Sequence, residues 1–278
     1  MKMSKRVLVT GGAGFIAHHV IEHIIRTTDW NIVCLDRLDI SGNLNRLHDM
    51  LQEHDPVAVA QRLRIVFHDL KAELNSQIVQ DIGPVDIVLH LAAGSHVDRS
   101  INNANDFVLT NVFGTQVLLE NAFEIGIEKF LQVSTDEVYG DRFINNHLVL
   151  ATEESTLHGS SYYSSSKIAS DMIVEAAGRT FGLPYIITRT CNNFGENQHP
   201  EKMLPKIIQC VKNGETIPVY GDGEQVREWI HADDNSQAIY NLLMSDVKNE
   251  VFNIGSGYRI TNNQLIAKVG EVIGNTPK

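Results

Sequence analysis

The stretch Arg6-Val7-Leu8-Val9-Thr10-Gly11-Gly12-Ala13-Gly14-Phe15-Ile16-Ala17 decides how this chain folds. Arg6–Val9 is a short apolar run, rich in valine, as suits a strand buried on both faces. It passes straight into a glycine-rich turn, and an amphipathic stretch from Ala17 to Thr27 follows. Gly11 and Gly14 let the backbone turn tightly and approach a pyrophosphate at the N-terminus of that helix, beside Phe15 and Ile16. A third glycine normally eases packing of the helix on the strand, and Ala17 takes that place here. A second run, Asn31–Leu35, ends on Asp36, where a carboxylate accepts hydrogen bonds from an adenosine ribose and repels a 2′-phosphate. Strand, turn, helix and acid together predict a dinucleotide site that prefers NAD to NADP. Arg37, next in the chain, weakens that preference slightly.

The same alternation continues outward. Further candidate strands are Arg64–Phe67, Asp86–Leu91, Phe130–Ser134 and Tyr185–Arg189, with helical patterns over Asp106–Phe123 and Ser164–Phe181. Alternating strands and helices predict an α/β fold, a doubly wound parallel sheet of the Rossmann kind. Asp69 and Leu70 close the third strand, where a carboxylate can reach an adenine amino group. Leu91, Ala92 and Ala93 close the fourth, where small side chains leave room for a cofactor to cross. After about residue 190 the pieces shorten to Pro218-Val-Tyr220, Trp229-Ile230 and Val251-Phe-Asn-Ile254, separated by glycine-rich and polar turns. Residues 1–190 are therefore expected to form the NAD-binding domain. Residues 191–278 mainly form a smaller C-terminal substrate-binding lobe, interleaved with the sheet.

Bulk composition narrows the partners. Hydrophobic residues make up 43% of the 278, as in a soluble globular chain, and the net charge of −11 disfavours nucleic acid and anionic membrane. An anionic small substrate stays compatible, because backbone dipoles and a few basic side chains can bind phosphate inside an acidic protein. Cys34, Cys191 and Cys210 lie far apart, with no metal or disulfide spacing, and read as buried thiols in a reducing cytoplasm. Met1 to Arg6 is basic but precedes only three apolar residues, too few for a signal peptide. No apolar run approaches the ~20 residues of a membrane span. His90, His96, His147, His158, His199 and His231 are scattered, so no metal site is expected.

The chemistry sits in the second half. Ser134-Thr135-Asp136-Glu137-Val138-Tyr139 places a hydroxyl and two adjacent carboxylates just past a strand. Tyr163 and Lys167 follow, four positions apart on one helical face. A phenol of pKa ~10 is a poor base at neutral pH, and a nearby ammonium and a positive nicotinamide should lower it. Tyr163 could then deprotonate a sugar hydroxyl while hydride leaves the same carbon. Strand alternation would send Asp136 and Glu137 to opposite faces, but they lie past the strand end, where alternation need not hold. Two close carboxylates push their pKa values apart, which suits one as acid and the other as base.

These motifs resemble the extended short-chain dehydrogenase/reductase family of nucleotide-sugar enzymes. Ser134–Gly140, His90–Ile101, Asn192-Asn193-Phe-Gly195, Pro200–Pro205 and Arg227-Glu-Trp229 narrow the resemblance to the dTDP-glucose 4,6-dehydratase group, from residue 6 to about 270. The resemblance implies that Tyr163 deprotonates the C4 hydroxyl, C4 hydride passes to NAD, Glu137 removes the C5 proton and Asp136 protonates the departing C6 hydroxyl. The hydride then returns to C6. Thr135 would hydrogen-bond the C4 oxygen, and Lys167 would hold the nicotinamide ribose. A nucleotide-diphosphate hexose would contact Ser95, His96, Asn193, Glu201, Lys202 and Arg227, with Asn253 as a further candidate. The planar fork of Arg227 suits paired diphosphate oxygens. A homodimer is implied as well, pairing two helices per chain, about 106–123 and 164–181.

The chain departs from the family pattern at Gly94, where glutamate is common, and at His18-His19 in place of Ser-His. Family members also continue past position 278, through a stretch that completes the substrate lobe. Four other readings stay open: a UDP-sugar 4,6-dehydratase, a 4-epimerase, a decarboxylase, and a non-catalytic NAD-binding sensor. Epimerases and decarboxylases need no acid and base for elimination across C5–C6, so Asp136 and Glu137 discriminate against them. Sensors typically lose the Tyr or Lys that this chain keeps.

Overall fold

The computed structural model describes residues 4–140, 143–144 and 147–278. Met1 to Met3, on which the reading of the N-terminus partly rests, lie outside them. Strand β1 (Arg6–Thr10) leads through the glycine turn into helix α1 (Phe15–Thr27) and β2 (Asn31–Asp36). Then come α2 (Leu44–Glu53), α3 (Pro56–Arg62), β3 (Leu63–Phe67), α4 (Ser76–Ile82) and β4 (Ile87–His90). Helices α5 (Val97–Asn102) and α6 (Ala104–Phe107) run through a π-helical stretch, Val108–Phe113, into α7 (Gly114–Ile125) and β5 (Lys129–Thr135). A 3-10 turn, Asp136–Tyr139, and a hairpin of β6 (Phe143–Ile144) and β7 (His147–Leu148) precede α8 (Tyr162–Phe181) and β8 (Tyr185–Thr190). The remainder is β9 (Asn192–Phe194), α9 (Met203–Asn213), β10 (Val226–His231), α10 (Ala232–Met244), β11 (Glu250–Ile254), β12 (Arg259–Thr261) and α11 (Asn262–Ile273).

Seven strands form one parallel sheet in the order β11-β8-β5-β4-β1-β2-β3. The order reverses direction between β1 and β4, and ligands of such sheets bind in the crevice at that switch point. The expected doubly wound sheet is thus what forms, with each expected strand found to within a residue or two. Alternation within the buried strands builds two cores. Val7 and Val9 of β1 join Ile21 and Ile24 of α1 on one face, whereas Leu8 joins Leu118 of α7 and Val174 of α8 on the other. A third core, around Ile207, Trp229 and Leu265, holds a small sheet, β12-β10-β9, against α9 and α11.

Three local outcomes differ from the sequence pattern. The stretch 106–123 is not one regular α-helix, because its middle widens into the π-helical turns. Pro218 to Tyr220 forms no strand. Val251–Ile254 belongs to β11, which pairs with β8 in the main sheet, so residues 191–278 supply both the small lobe and the sheet's last strand. Short apolar runs carry no mark of which sheet they will join.

Phe130 on β5 is fully buried between the layers. Phe130→Ala is expected to cost about 3–5 kcal/mol of stability, for lost transfer energy plus a cavity, read as a lower denaturant midpoint at unchanged slope.

Candidate active site

At the carboxyl ends of the strands lies one large cavity of about 650 Å³. It runs from the glycine turn, past Leu91 to Ala93, to Thr135, Glu137, Tyr163 and Lys167, and on to Asn193, Lys202 and Arg227. Every residue expected to bind the cofactor lines it: Gly11, Gly14, Phe15, Ile16, Asp36, Asp69, Leu70, Leu91, Ala92, Ala93, Tyr163 and Lys167. Ser95, His96 and Glu201 line it as well.

The dinucleotide end is built from backbone. Gly11 has φ 68°, and a Cβ there would come 2.8 Å from the Ala92 backbone, so the first turn and the end of β4 pass in contact. No side chain caps α1, which leaves its first N–H groups, at Phe15 and Ile16 on the cavity wall, for an anion. Asp36 braces the turn: Oδ2 accepts from Ala13 N at 3.0 Å and Oδ1 from Leu38 N at 2.7 Å. Arg37 is taken up by acids, with Asp39 at 2.6 Å, Asp69 at 3.5 Å and Asp106 at 3.8 Å. A guanidinium so paired is poorly placed to receive a 2′-phosphate, which removes the reservation that Arg37 raised about NAD. Arg46, not singled out by the sequence, also reaches the cavity, donating to Ala13 O at 2.8 Å and Ser41 O at 2.7 Å. Its only sequence signal was an arginine among the apolar positions of α2.

Tyr163 lies in the first turn of α8 because Ser161 and Ser164 form a reciprocal capping box that starts the helix at Tyr162. Lys167, one turn on, is buried and donates to Val133 O at 2.9 Å. Burial pulls its pKa down to about 8, against the opposing charge of Asp171. The expected lowering of the Tyr163 phenol counted on the positive nicotinamide as well as Lys167; the protein's own groups raise the phenol. Burial, then the charge of Glu137, pushes it above its ordinary value, and only the neighbouring Thr135 hydroxyl acts the other way on that side.

The strand end delivers the carboxylates. Thr135 caps the 3-10 turn, accepting from Glu137 N at 3.2 Å. Thr135 and Glu137 reach the cavity wall, whereas Asp136 is set back from it, its Oδ1 3.3 Å from Thr135 Oγ1. Burial and then the Glu137 charge raise Asp136 to about 7. Glu137 is also raised by burial, with Arg227 and Lys202 pulling it back. The two acids are therefore in unlike surroundings: Glu137 meets the lobe cations Arg227 and Lys202, and Asp136 meets the Glu137 charge.

In the lobe, Lys202 donates to Ser95 O at 2.9 Å. Glu201 bonds Arg99 and lies 3.7 Å from His96, so it spans the cavity mouth. Arg227 stands exposed at the rim. Asn253 does not line the cavity. It lies on β11, accepts from Tyr139 Oη at 2.7 Å and donates its N–H to Glu153 at 2.8 Å, so it pins the turn from behind. Sequence reading also passed over Cys191, Gln225, Tyr220 and Asn262, all on the wall. Among the described residues no cluster of His, Cys, Asp and Glu is arranged to hold a metal, and no helix is long and apolar enough to cross a membrane.

Comparison with known proteins agrees with this geometry. The profile of the NAD dependent epimerase/dehydratase family matches residues 7–255. The low-salt glycan biosynthesis protein Agl12 of Haloferax volcanii is 44% identical over 97% of this chain and 83% of its own length. A dTDP-glucose 4,6-dehydratase of Haemophilus influenzae is 40% identical over 96% of this chain and 79% of its own. The crystal structure of DesIV, a dTDP-glucose 4,6-dehydratase from Streptomyces venezuelae with NAD and TYD bound, superposes with a TM-score of 0.88 at 39% identity, covering 98% of this chain and 82% of that one. A parallel sheet with its glycine turn at the switch point, a Tyr/Lys helix and matches over almost the whole length leave one assignment: the chain belongs to the NAD dependent epimerase/dehydratase family.

Proposed function

We propose that this chain is a nucleotide-sugar 4,6-dehydratase that converts dTDP-glucose to dTDP-4-keto-6-deoxyglucose. The observation that carries the reading is the pair of partly buried carboxylates, Asp136 and Glu137, both raised by desolvation and in unlike surroundings, beside Tyr163 and Thr135. Elimination of water across C5–C6 needs one acid and one base at a single pH. A 4-epimerase or decarboxylase needs neither. The dehydratase names carried by relatives of similar sequence and fold support the same choice.

The cofactor cradle is assigned to Gly11, Gly14, Phe15 and Ile16 for the pyrophosphate, Asp36 for the adenosine ribose and Asp69 for the adenine edge. Lys167 holds the nicotinamide ribose with the donors left over from its bond to Val133. A bound NAD, held by these residues, would supply the hydride acceptor for C4 and the hydride donor for C6, and its positive nicotinamide would favour the phenolate. Thr135 orients the C4 oxygen and Tyr163 removes its proton. The ketone formed at C4 acidifies C5, so that the Glu137 carboxylate can take the C5 proton. Asp136, in contact with Thr135, protonates the leaving C6 hydroxyl. Arg227, Lys202 and Asn193 hold the diphosphate side of the substrate, with Ser95 and His96 on the opposite wall. Three buried free cysteines suit a reducing cytoplasm.

Mass spectrometry of protein incubated with dTDP-glucose, UDP-glucose and UDP-N-acetylglucosamine tests this reading. Loss of one water from dTDP-glucose without net NADH is expected, and Tyr163→Phe should slow it by about 10²–10⁴-fold. A product of unchanged mass would identify an epimerase instead. Carbon dioxide lost from a UDP-uronic acid would identify a decarboxylase, and bound NAD without turnover would identify a sensor.

The pH dependence follows from Asp136. Its acid form is the active one, so kcat/KM should decline as pH rises through about 7. Asp136→Asn should flatten that limb and lower kcat, and an unchanged limb would remove Asp136 from the acid role.

A homodimer through α7 and α8 completes the proposal. Phe123 and Phe181, 50% and 58% exposed with ring centroids 5.0 Å apart, form an apolar face across the two helices. Light scattering should report a dimer, and the double substitution Phe123→Asp/Phe181→Asp should shift it to monomer.

A further inference from the structure

Catalytic carboxylates cannot anchor the turn that carries them, because their oxygens must stay free for the substrate. The turn Asp136–Tyr139 has to be located by its other residues. At its start, Thr135 Oγ1 accepts from Glu137 N at 3.2 Å, and in its middle Val138 O accepts from His158 N at 2.8 Å. A turn held only by such single backbone bonds can pivot. At its end the Tyr139 side chain is buried and reaches back to two neighbouring strands. Arg189 Nη1 on β8 donates to Tyr139 Oη at 3.0 Å, and Tyr139 Oη donates to Asn253 Oδ1 on β11 at 2.7 Å. The guanidinium carbon of Arg189 also sits 5.1 Å from the centre of the Tyr139 ring.

Arg189 is itself held fast. It is 3% exposed, its Nε donates to Asp171 Oδ2 on α8 at 3.2 Å, and Nη1 also donates to Glu153 O at 3.3 Å. The Glu153 carboxylate closes the ring by accepting from Asn253 N at 2.8 Å. Strand register sets all of this at one level, with Arg189 beside Ser134 of β5 on one side and Asn253 of β11 on the other. A planar guanidinium with donors at fixed angles can hold a carboxylate and a phenol together, and an ammonium on a flexible stem cannot. Burying the Arg189–Asp171 pair is expensive, and apolar side chains in such places are often neutral or stabilising. Stability alone is therefore a weak reason for a buried charge pair that ends on a phenol.

We propose that Arg189 and Tyr139 are positioning residues, which tie the Asp136–Glu137 turn to β8 and β11 and so set the two carboxylates for elimination. The inference rests on the reading that Asp136 and Glu137 carry the loss of water. The tether is selective. Thr135 belongs to β5, and Tyr163 and Lys167 belong to α8, so strand and helix place the groups assigned to oxidation at C4. Only the acid and the base ride on the turn. Freeing the turn should therefore spare the first half of the reaction and slow the second. Tyr139→Phe removes the hydroxyl that joins Arg189 to Asn253 and keeps the ring packed on the guanidinium.

Tyr139→Phe, loaded with NAD and mixed with dTDP-glucose in a single turnover, should build up reduced cofactor, because elimination slows by about 10²-fold while oxidation at C4 does not. Arg189→Lys keeps a cation for Asp171 but cannot also reach the phenol, and should behave in the same way. Hydrogen–deuterium exchange without substrate gives a second readout. The amides of 134–140 should exchange about tenfold faster in Tyr139→Phe, with those of β1 unchanged. Asn253→Ala, at an exposed position, removes only the acceptor of the phenol and should give a smaller change of the same sign. It decides the matter if the buried variants do not fold. Unaltered exchange together with no build-up of reduced cofactor, even with a lowered Tm or a uniform loss of turnover, would overturn the proposal. Unaltered protein that releases no water from dTDP-glucose would refute the elimination reading instead, and the exchange measurement would then decide the tether by itself.

Discussion

The buried ammonium of Lys167 is the constraint on which the rest of the site depends. A lysine without solvent must be held by a carbonyl and a carboxylate or lose its charge. Val133 supplies the carbonyl from β5, 2.9 Å from the ammonium, which fixes α8 against the sheet at that height, and the charge of Asp171 on the same helix opposes loss of the proton without touching it. Tyr163, one turn earlier, is thereby set opposite Thr135. The strand end that presents Val133 also brings Ser134 and Thr135 to the cavity wall. One strand terminus and one helix face therefore determine most of the chemistry.

The same desolvation that threatens Lys167 also differentiates the acids. Both carboxylates on the 3-10 turn are raised by burial, but they meet different charges. Glu137 faces the cavity, where Arg227 and Lys202 favour its ionised form. Asp136 is set back, where the nearest strong influence is the Glu137 charge. Arg227 acts on both acids and Lys202 on Glu137, which makes the acid–base pair a joint property of the sheet and the lobe.

Much of this was legible in the sequence, and the reasons differ by element. Strands such as β1 and β2 declared themselves because both faces are buried and their residues are almost all apolar. The glycine turn was legible because only glycine fits where Gly11 touches Ala92. The Tyr163/Lys167 spacing placed the catalytic helix, although the start that Ser161 and Ser164 set at Tyr162 was read two residues late. What stayed hidden depends on three-dimensional neighbours. The π-helical turns of 108–113 have no periodic signature, yet they bring Asn111 to the backbone of Gly94, 2.7 Å from its N–H. Asn253 carries the same amide wherever it lies, and only the pairing of β11 with β8 puts it behind the turn. The upward shift of Tyr163 was missed because spacing reports the nearness of Lys167 but not the burial and the Glu137 charge that raise the phenol.

The lobe and the nucleotide half are also bound to each other more closely than two adjacent domains would be. His19 of α1 bonds Asp233 of α10 at 2.6 Å, and Arg46 of α2 donates to Asn197 O at 3.0 Å. Lys202 and Glu201 reach back to Ser95 and Arg99 on the far wall. These links begin in the elements that surround the glycine turn and end in the loop 195–202 that supplies the substrate side. Filling the dinucleotide end therefore bears directly on the loop that must accept the sugar nucleotide. A reaction that lends a hydride and takes it back needs cofactor and sugar held together until both transfers are complete. Tight coupling of the two halves serves that need better than independent binding sites would.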